Sequence, residues 1–504
     1  MAGICGVLKF NAENERHGIS KDLYYLLYGL QNRGQASAKA ITQMKNPDAQ
    51  VYFYNNGVRY TPLRNILTQD YIYCERKEDG IVRKVFDNKI LLDLYGEAGI
   101  GGVSNTAVYK SDSLPYRYKM VAVGKDGWIE NADDIKEFLV TENIPFRKNS
   151  TEVEICSKLF HYHFARCGNG KQAMKYCAVG RDDAPKLEGS YAMIGLTPLG
   201  LTAVSNGKPL GYVLREDRVY IASESAGPWS VIPKLNSNNF HNHWVDITPG
   251  EVIDILRSED APTLDKWIDK TTEVIRESPR IIKGTFPTNK RVCSFEWAYF
   301  ARPDSVIFGK EAGVVRMSIG AQLAPIVAEK ITNGGGDLDN TIVVPVLASG
   351  NWYAVGFSEK TRLPFIPGLY KNKYALKSFI LDVQQKRDEE VTLKHIPSVN
   401  LLRGKEVVLV DDSIVRGTTM RVIVDLVREK GNPTNVHVVA GYPQKRYGCP
   451  YTSESPKKLI ANELNLDEIR QRIGATTLTY GTHEMWLKAL GEGFCYRCEI
   501  QGHV

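Results

Sequence analysis

Two patterns of apolar and polar positions follow one another along the chain. Before residue 255, short apolar segments alternate with Gly, Asn and Asp turns, a pattern typical of strands. Strands are predicted over 5–10, 119–123, 190–196, 211–213 and 218–222, and helices over 20–31, 132–140 and 152–166. The first half is therefore predicted to be a mixed α and β unit that is rich in short strands.

From residue 312 the pattern changes to strands that alternate with helices. Strands are predicted over 342–347, 406–410 and 435–442, and helices over 313–330, 349–360 and 419–431. Such alternation is typical of a doubly wound parallel sheet. The intervening stretch 255–292 is polar, charged and rich in Pro and Lys, which indicates a linker. The tail, 457–504, is predicted to be mainly helical.

Composition narrows the class of protein. A length of 504 residues favours two or three domains, and 43% hydrophobic with 24% charged residues is typical of globular proteins. A net charge of +6 permits a small anionic substrate, but it does not indicate a nucleic acid or a membrane as partner. The first 18 residues lack the apolar core of a secretory signal. A cytoplasmic location is expected, and the nine cysteines do not indicate a disulfide framework.

The segment VVLVDDSIVRGTT (407–419) carries the clearest chemistry. An apolar strand runs directly into Asp411 and Asp412, and a glycine with two threonines (417–419) precedes the next helix. Ligands of open parallel sheets bind beyond the carboxyl ends of the strands. There, carboxylates accept hydrogen bonds from vicinal hydroxyls, and the first helical turn binds an anion. The pattern predicts a ribose 5-phosphate pocket; the alternative is a solvated strand end with an ordinary capped helix.

This segment resembles the signature of type I phosphoribosyltransferases for 5-phosphoribosyl 1-pyrophosphate (PRPP), in the form found in the glutamine amidophosphoribosyltransferase family. Further segments agree in order: LYYLLYGLQNRGQASA (23–38), LEGSYAMIGLTPLGLTAV (187–204), CSFEWAYFARPDS (293–305) and GLYKNKYALKSFI (368–380). The resemblance covers nearly the whole chain. It implies an N-terminal nucleophile (Ntn) hydrolase domain with an αββα sandwich over 1–262, a linker over 263–292, a phosphoribosyltransferase domain with a doubly wound parallel sheet over 293–456, and a helical segment with Cys-x-x-Cys over 457–504.

The resemblance implies that ammonia replaces pyrophosphate at C1 of PRPP and gives 5-phosphoribosylamine, the first step of de novo purine synthesis. The resemblance also implies that Asp411 and Asp412 bind the ribose hydroxyls and position Mg²⁺. The implied PRPP-binding residues are Ser349, Asp411, Asp412, Ser413, Arg416, Gly417, Thr418 and Thr419. The segment VVPVLASG (343–350) matches the family's pyrophosphate loop, V-P-V-P-D-S-G. Leu347 and Ala348 replace its second proline and its acid.

A mobile loop that closes over PRPP is also implied. Segment 368–380, followed by Gln384, Arg387, Val391 and Lys394, matches the spacing of that loop. Lys373 and Tyr374 are the implied catalytic residues of the transferase half. Lys373 and Lys377 stand where the family has arginine. The positive charge is kept, but the planar guanidinium group, which can form two parallel hydrogen bonds, is not. A plain basic surface loop is the alternative.

For the N-terminal half, the resemblance implies a glutaminase. In such enzymes a thiol attacks the amide of glutamine and an α-amino group serves as base. Cys5 matches the nucleophile, although a short propeptide before it must first be removed. Arg33 and Gly34 match the family's Q-x-R-G element, and Asp126 and Gly127 match its H-N-G-N element. These residues are the predicted glutamine site.

Three positions of this glutamine site depart from the family pattern. Ser104 aligns with the arginine that clamps the α-carboxylate of glutamine, and Ser150 aligns with the acid that holds its α-amino group. Asp126 aligns with the asparagine of the oxyanion hole and offers an acceptor in place of a donor. Two hypotheses remain: glutamine is hydrolysed, or the domain is structural and ammonia arrives free or from a partner. In the second case Cys5 is a small buried strand residue.

Four cysteines form a second candidate site. Cys495 and Cys498 form a C-x-x-C, which by itself is compatible with zinc, redox chemistry or chance. With Cys293 and Cys449 they match the cysteines that bind a [4Fe–4S] cluster in one branch of the family, and four thiolates satisfy such a cluster. A zinc site and unconnected free thiols are the alternatives.

The resemblance implies Mg²⁺ and a [4Fe–4S] cluster as cofactors, PRPP with glutamine or ammonia as substrates, and nucleotides as inhibitors. It also implies a homo-oligomer, a tetramer or a dimer. Two other functions remain open. One is a paralogue that transfers phosphoribose to ammonia or another amine in a different pathway, and the other is a PRPP or nucleotide sensor without turnover. The altered glutamine site favours the paralogue, whereas the intact 407–419 segment favours catalysis over sensing.

Overall fold

The computed structural model describes residues 2–10, 18–34, 37–43, 96–104, 114–215, 218–231, 243–256, 273–274, 280–371, 395–451 and 459–499. The chain forms two compact units. The N-terminal unit comprises Met1–Val292 with Val306–Gly309, and the C-terminal unit comprises Cys293–Ser305 with Lys310–Val504. No helix in the described ranges combines the length and the apolar character that a membrane crossing requires.

Two antiparallel sheets build the N-terminal unit. Its strands are β1 (Ala2–Lys9), β2 (Ser37–Gln43), β3 (Ala98–Ser104), β4 (Tyr116–Tyr118), β5 (Val121–Ile129), β6 (Gly189–Thr197), β7 (Gly200–Asn206), β8 (Gly211–Arg215), β9 (Arg218–Ala222), β10 (Val245–Asp246), β11 (Glu251–Leu256), β12 (Glu273–Val274), β13 (Arg280–Thr285) and β14 (Val306–Ile307). Its helices are α1 (Ser20–Gly29), α2 (Ala132–Thr141), α3 (Glu152–Cys167), α4 (Gly170–Val179) and α5 (Ala226–Val231). The sheet orders are β10-β8-β9-β1-β3-β2 and β12-β13-β11-β7-β6-β5-β4.

The two sheets pack face to face. Ile4 of the first sheet and Ile194 of the second lie in one buried apolar cluster. Leu27 of α1 packs on the outer face of the first sheet, and Phe160 of α3 packs on the outer face of the second. Burial of each such side chain contributes about 1.5–3 kcal/mol to the free energy of unfolding. The predicted αββα sandwich is therefore confirmed.

Strand β13 lies inside the segment that the sequence indicated as a linker, 263–292. It pairs antiparallel with β11, Ile255 opposite Ile281, and the side chains of Ile281 and Ile282 are buried. Two adjacent isoleucines inside a charged stretch give no alternating pattern, so composition alone concealed the strand. The sheet of the N-terminal unit therefore extends past residue 262, where the sequence placed its end.

The C-terminal unit contains a four-stranded parallel sheet in the order β16-β19-β20-β21, and a small hairpin of β17 with β18. Its strands are β15 (Lys310–Glu311), β16 (Thr341–Pro345), β17 (Leu369–Lys371), β18 (His395–Pro397), β19 (Glu406–Asp411), β20 (Asn435–Ala440) and β21 (Thr477–Tyr480). Its helices are α6 (Ala312–Asn333), α7 (Asn351–Thr361), α8 (Val399–Leu402), α9 (Thr418–Leu426), α10 (Ile460–Glu463), α11 (Leu466–Arg472) and α12 (His483–Leu490), and π-helical turns span Glu296–Phe300 and Val427–Gly431.

Helices cover both faces of this parallel sheet. On one face, Ile423 of α9 and Ile469 of α11 share a buried cluster with Leu409 of β19. On the other face, α6 and α7 pack on each other, and α7 packs on β16 and β19. Because both faces are covered, Val407 and Val410 of β19 are fully buried. The predicted doubly wound parallel sheet is confirmed.

The fourth strand, β21, comes from the tail that was predicted to be mainly helical. Thr477–Tyr480 pairs in parallel with β20, His437 opposite Thr477 and Ala440 opposite Tyr480. The segment is only four residues long and contains two threonines, so it offered too short an apolar run to read as a strand. The sheet of the C-terminal unit therefore includes residues beyond the predicted boundary at 456.

Candidate functional site

A cavity of about 540 Å³ opens at the carboxyl end of the parallel sheet. The residue segments that follow β16 and β19 line it, as expected for an open parallel sheet. All eight residues predicted to bind PRPP contribute to its wall: Ser349, Asp411, Asp412, Ser413, Arg416, Gly417, Thr418 and Thr419. Residues up to 70 positions apart thus meet in one place, and their individual roles remain predictions.

Two buried carboxylates form the floor of this cavity. Asp411 Oδ1 accepts hydrogen bonds from Ser349 Oγ at 3.0 Å and from the Asp412 amide at 2.9 Å, and Asp412 Oδ2 accepts one from Ser413 Oγ at 2.5 Å. Burial, followed by the like charge of Asp412, raises the pKa of Asp411 well above its usual range, and burial also raises the pKa of Asp412. A cation or several hydroxyl donors are therefore needed to stabilise both charges together.

An anion cradle lies beside the acids, at the start of α9. Gly417 has φ +75°, in the left-handed region, and it turns the chain so that α9 begins at Thr418. The amides of the first turn have no partner within the helix, and the helix dipole adds positive potential at this end. Arg416 is exposed at the rim of the cavity. The arrangement suits a phosphate group.

The Gly417→Ala variant is expected to lose both stability and affinity for PRPP. A left-handed backbone costs a residue with a Cβ about 1–2 kcal/mol, and relaxing it misaligns the amides of the cradle. We expect a roughly tenfold rise in the KM for PRPP. Gly404 is the matched control, since it has φ +68° with no atom near its missing Cβ and does not line the cavity. Gly404→Ala should lower the melting temperature, although by less because a Cβ on Gly417 also meets Ile460 Cδ1 at 2.5 Å, and it should leave KM unchanged. Equal KM values for both variants would contradict the cradle.

Beyond these eight residues, the cavity wall includes five aromatic or basic side chains to which the sequence assigned no role: Phe295, Tyr299, Phe300, His395 and Lys445. Burial raises the pKa of Tyr299, and the negative charges of Asp412 and Asp411 raise it further. The Tyr299 hydroxyl is therefore close enough to both carboxylates to interact with their charges. Lys445 Nζ lies 4.6 Å from the ring centroid of Phe295 and places a cation at the wall. The signal for the aromatic residues was present in CSFEWAYFARPDS, which was quoted only as a family segment.

Some predicted residues of the transferase half fall where no structure is described. Lys373, Tyr374 and the rest of the predicted loop from residue 372 to Lys394 lie outside the described residues. Their catalytic role remains a prediction.

The predicted glutamine residues converge in the N-terminal unit on a buried set of charges. Arg33, which is fully buried, forms an ion pair with Glu224 and a second one from Nη1 to Asp126 Oδ2 at 3.2 Å. Asp126 Oδ1 accepts the Ala2 amide at 2.9 Å and the Gly127 amide at 2.9 Å. Burial opposes ionisation of Asp126, but Lys208 and Arg33 outweigh it and lower its pKa. Glu224 was not foreseen from the sequence.

Gly34 and Ser104 lie together at the edge of this charged set. A Cβ on Gly34 would come within 2.4 Å of the Ser104 amide nitrogen, so only glycine permits this approach. Ser104 is the last residue of β3 and pairs with Ala2 of β1. Ser150 lies in the turn before α3 and is partly exposed.

Cys5 occupies the middle of β1 and not the charged set. It pairs with Gly101 on one side and Ala222 on the other, and its side chain is fully buried. The sulfur belongs to the apolar cluster under α1, where a Cβ on Gly101 would lie 3.2 Å from it and 3.0 Å from Leu27. Burial raises the pKa of the thiol far above its usual value. A hydrogen bond with the backbone of Gly101 lowers this pKa, but burial among apolar groups outweighs it, so the neutral thiol is favoured.

Backbone hydrogen bonds bring together the three segments that carry the four predicted cluster cysteines. Cys293 forms a β-bridge with Cys495, and the carbonyl of Cys498 accepts the amide of Arg446 at 2.9 Å. Burial raises the pKa of the Cys498 thiol to about 12, while Lys445 lowers and Cys449 raises it. In the described ranges, no three Cys, His, Asp or Glu side chains are arranged to hold a metal ion. The structure brings the segments together but does not show a formed metal site.

A sandwich of two sheets with an Arg–Asp–Glu set, followed by a parallel sheet with an acid pair and an anion cradle, defines an Ntn-type amidotransferase domain joined to a type I phosphoribosyltransferase domain. The comparisons agree. An amidophosphoribosyltransferase of Methanocaldococcus jannaschii is 32% identical over 512 residues, which cover 99% of this chain and 96% of the relative. One of Bacillus subtilis is 28% identical over 98% of this chain and 92% of the relative. The chain belongs to the amidophosphoribosyltransferase family.

A solved structure extends the similarity to three dimensions. The glutamine PRPP amidotransferase of B. subtilis, in complex with ADP and GMP, aligns with a TM-score of 0.71 at 26% identity, over 99% of this chain and 96% of the solved chain. No family model matches the sequence.

Proposed function

We propose that the chain transfers the phosphoribosyl group of PRPP to ammonia, which gives 5-phosphoribosylamine and pyrophosphate in the first step of de novo purine synthesis. One observation carries the proposal: all eight residues expected to bind PRPP line a single cavity at the end of the parallel sheet. Membership of the amidophosphoribosyltransferase family supports it.

Different residues of the cavity bind different parts of PRPP. Asp411 and Asp412 accept hydrogen bonds from the ribose hydroxyls, because they lie on the floor and act as acceptors when ionised. The amides that open α9 hold the 5-phosphate. As pyrophosphate leaves, positive charge develops on the ribose and negative charge on the leaving group. The acids lie on the ribose side, and Lys445 and Arg416 supply cations at the wall.

Mg²⁺ fits the acid pair. Two adjacent buried carboxylates with raised pKa values are the hard oxygen donors that Mg²⁺ prefers, and Ser349 already bonds to one of them. We therefore assign Mg²⁺ to Asp411 and Asp412. When bound, the ion neutralises charge on the pyrophosphate group.

The [4Fe–4S] cluster is proposed at Cys293, Cys449, Cys495 and Cys498. The donor set fits, since four thiolates from three tied segments are what such a cluster requires. Tyr442 supports the assembly: its hydroxyl lies 3.7 Å from Cys498 Sγ and 2.6 Å from Ser294 Oγ, next to Cys293 in the chain. A bound cluster would pin the C-terminal tail to the start of the transferase unit.

Replacing Cys495 and Cys498 together by Ser is expected to remove the cluster. Because two of four ligands are lost, protein purified without oxygen should lose the visible absorption of an iron–sulfur chromophore and its bound iron and sulfide. Cys167→Ser is the control, since Cys167 lies in the N-terminal unit and is half-buried. Zinc in the wild-type protein, or no metal at all, would contradict the assignment.

Nucleotides and an oligomeric assembly complete the proposal. The B. subtilis structure binds ADP and GMP, and this supports nucleotides as regulators here. We propose a homo-oligomer on the basis of family membership.

The test of function is release of pyrophosphate from PRPP and Mg²⁺ by the full chain with ammonium chloride. The proposal predicts pyrophosphate and 5-phosphoribosylamine in equal amounts. Tight binding of PRPP with no pyrophosphate would identify a sensor and overturn the proposal.

A further inference from the structure

The buried charges of the N-terminal unit show which residue stands where a glutaminase needs its nucleophile. We propose that the site of Arg33, Asp126 and Glu224 hydrolyses no glutamine, because Ala2 occupies the position of the nucleophile, and that free ammonia is the amine this chain uses. The inference rests on the proposed phosphoribosyl transfer and names its second substrate.

The position of Ala2 comes from its contacts. A nucleophile must lie within reach of the groups that stabilise the oxyanion. By the resemblance, Asp126 aligns with the oxyanion-hole asparagine of such a site, and its Oδ1 accepts the amide of Ala2 at 2.9 Å. Its Oδ2 accepts Arg33 Nη1 at 3.2 Å. Ala2 is therefore the residue beside the oxyanion position, where a glutaminase has its nucleophile. Its methyl side chain cannot attack a carbonyl carbon.

Cys5 cannot take this role from its place in the sheet. Side chains alternate between the two faces of a strand, so residues three apart point to opposite faces. Ala2 faces the core between the sheets, whereas Cys5 belongs to the cluster under α1. Removal of the residues before Cys5 would also break the pairing of Ala2, Gly3 and Ile4 with β3. The thiol therefore lies on the face of β1 opposite to Ala2, the residue whose amide Asp126 accepts.

The charged side chains of this site form ion pairs with one another rather than with a substrate. Arg33 pairs with Glu224 and Asp126, and all three side chains are at most 1% exposed. A glutamine that paired with Arg33 or Asp126 would have to displace these ion pairs and leave a buried charge without its partner. Asp126 is an acceptor and offers no donor to a developing oxyanion. The network therefore fixes the position of the start of β1 through the hydrogen bond between the Ala2 amide and Asp126.

Glutamine hydrolysis also fails on chemical grounds without a thiol at this site. The reaction requires a sulfur to attack the amide carbon and form a thioester, while the amide nitrogen leaves as ammonia with a transferred proton. Water then cleaves the thioester and releases glutamate. With Ala2 in place no thioester forms, so ammonia must reach the transferase cavity from solution or from a separate ammonia-releasing enzyme.

The test compares two amine sources on the full chain, with PRPP and Mg²⁺ present throughout. Pyrophosphate release is measured with ammonium chloride or with glutamine, and glutamate release from glutamine is measured separately. We expect pyrophosphate with ammonium only, and no glutamate above the rate without protein. The B. subtilis relative, a glutamine PRPP amidotransferase, serves as positive control for both assays.

A diazoketone analogue of glutamine provides a second readout, since it alkylates a glutaminase thiol. Peptide mass spectrometry is expected to show no adduct on Cys5 and a mature chain that retains Ala2. Glutamate release, an adduct on Cys5, or a mature chain that begins at Cys5 would each overturn the inference. Failure of the transferase itself is distinguished by an absence of pyrophosphate with either amine, and in that case glutamate release still decides the inference.

Discussion

The double variant Asp411→Asn, Asp412→Asn is expected to lose about 10³-fold in kcat/KM for PRPP, because truncating a buried charged partner costs about 2–5 kcal/mol. Both acids lie on the floor of the cavity, and Asn presents an NH₂ group where a ribose hydroxyl or Mg²⁺ needs an acceptor. Pyrophosphate release with ammonium chloride and saturating Mg²⁺ is the measurement.

The same variant is expected to fold at least as stably as the wild type. Burial and mutual repulsion raise the pKa of Asp411, so removal of the charge relieves strain in the absence of ligand. A loss of activity with an unchanged or higher melting temperature therefore separates function from folding. Asp425→Asn is the matched control, because the Asp425 side chain on α9 is half-exposed, does not line the cavity and pairs only weakly with Arg421. Near-normal turnover in the double variant would contradict the role of the acids.

Acid is expected to destabilise the N-terminal unit through two buried histidines of α3. Burial, with help from nearby cations such as Lys119 and Arg181, lowers the pKa of His161 and of His163 to about 4 from an ordinary 6.5. The unfolded chain binds these protons at a higher pH than the folded chain does. The stabilisation is therefore fully present above pH 6.5 and is lost as the pH falls toward 4, by about 3 kcal/mol for each histidine.

Urea unfolding from pH 7 to pH 4, followed in the N-terminal unit, measures this dependence. Replacing both histidines by Phe keeps the ring volume and removes the titration, so much of the slope between pH 6.5 and pH 4 should disappear. In the described part of the chain, neither ring nitrogen of His163 has a hydrogen-bond partner that Phe would lose. His243→Gln, at an exposed histidine, should keep the wild-type slope. An unchanged slope in the double Phe variant would show that other groups control acid unfolding.

Long periodic segments of the fold were predictable because their patterns are local. The strand at 406–410 and the helix at 152–166 differ from the observed β19 and α3 by one residue. The strands that were not predicted are short. Strand β13 has six residues, with two adjacent isoleucines in a charged stretch, and β21 has four residues. Ile281 of β13 pairs with Ile255, 26 residues earlier, and Thr477 of β21 pairs with His437, 40 residues earlier. Such pairing leaves little trace in the local pattern.

The phosphoribosyl site could be predicted for the same reason. Its acids and its anion cradle lie within 13 consecutive residues, so one segment carries most of the chemistry. The aromatic residues 295–300 and Lys445 join the cavity only through the tertiary fold. In the N-terminal half, the match of Cys5 to a nucleophile rested on the short segment ICGV (4–7). The face of β1 on which Cys5 lies becomes visible only once the strand is paired.

The central claim is that one PRPP molecule binds, with Mg²⁺, in the cavity above Asp411 and Asp412. Calorimetric titration of the full chain with PRPP in the presence of Mg²⁺ tests it most directly. We predict one site per chain that is lost when both aspartates are replaced by Asn. Absence of binding, or binding that persists unchanged in the double variant, would contradict it.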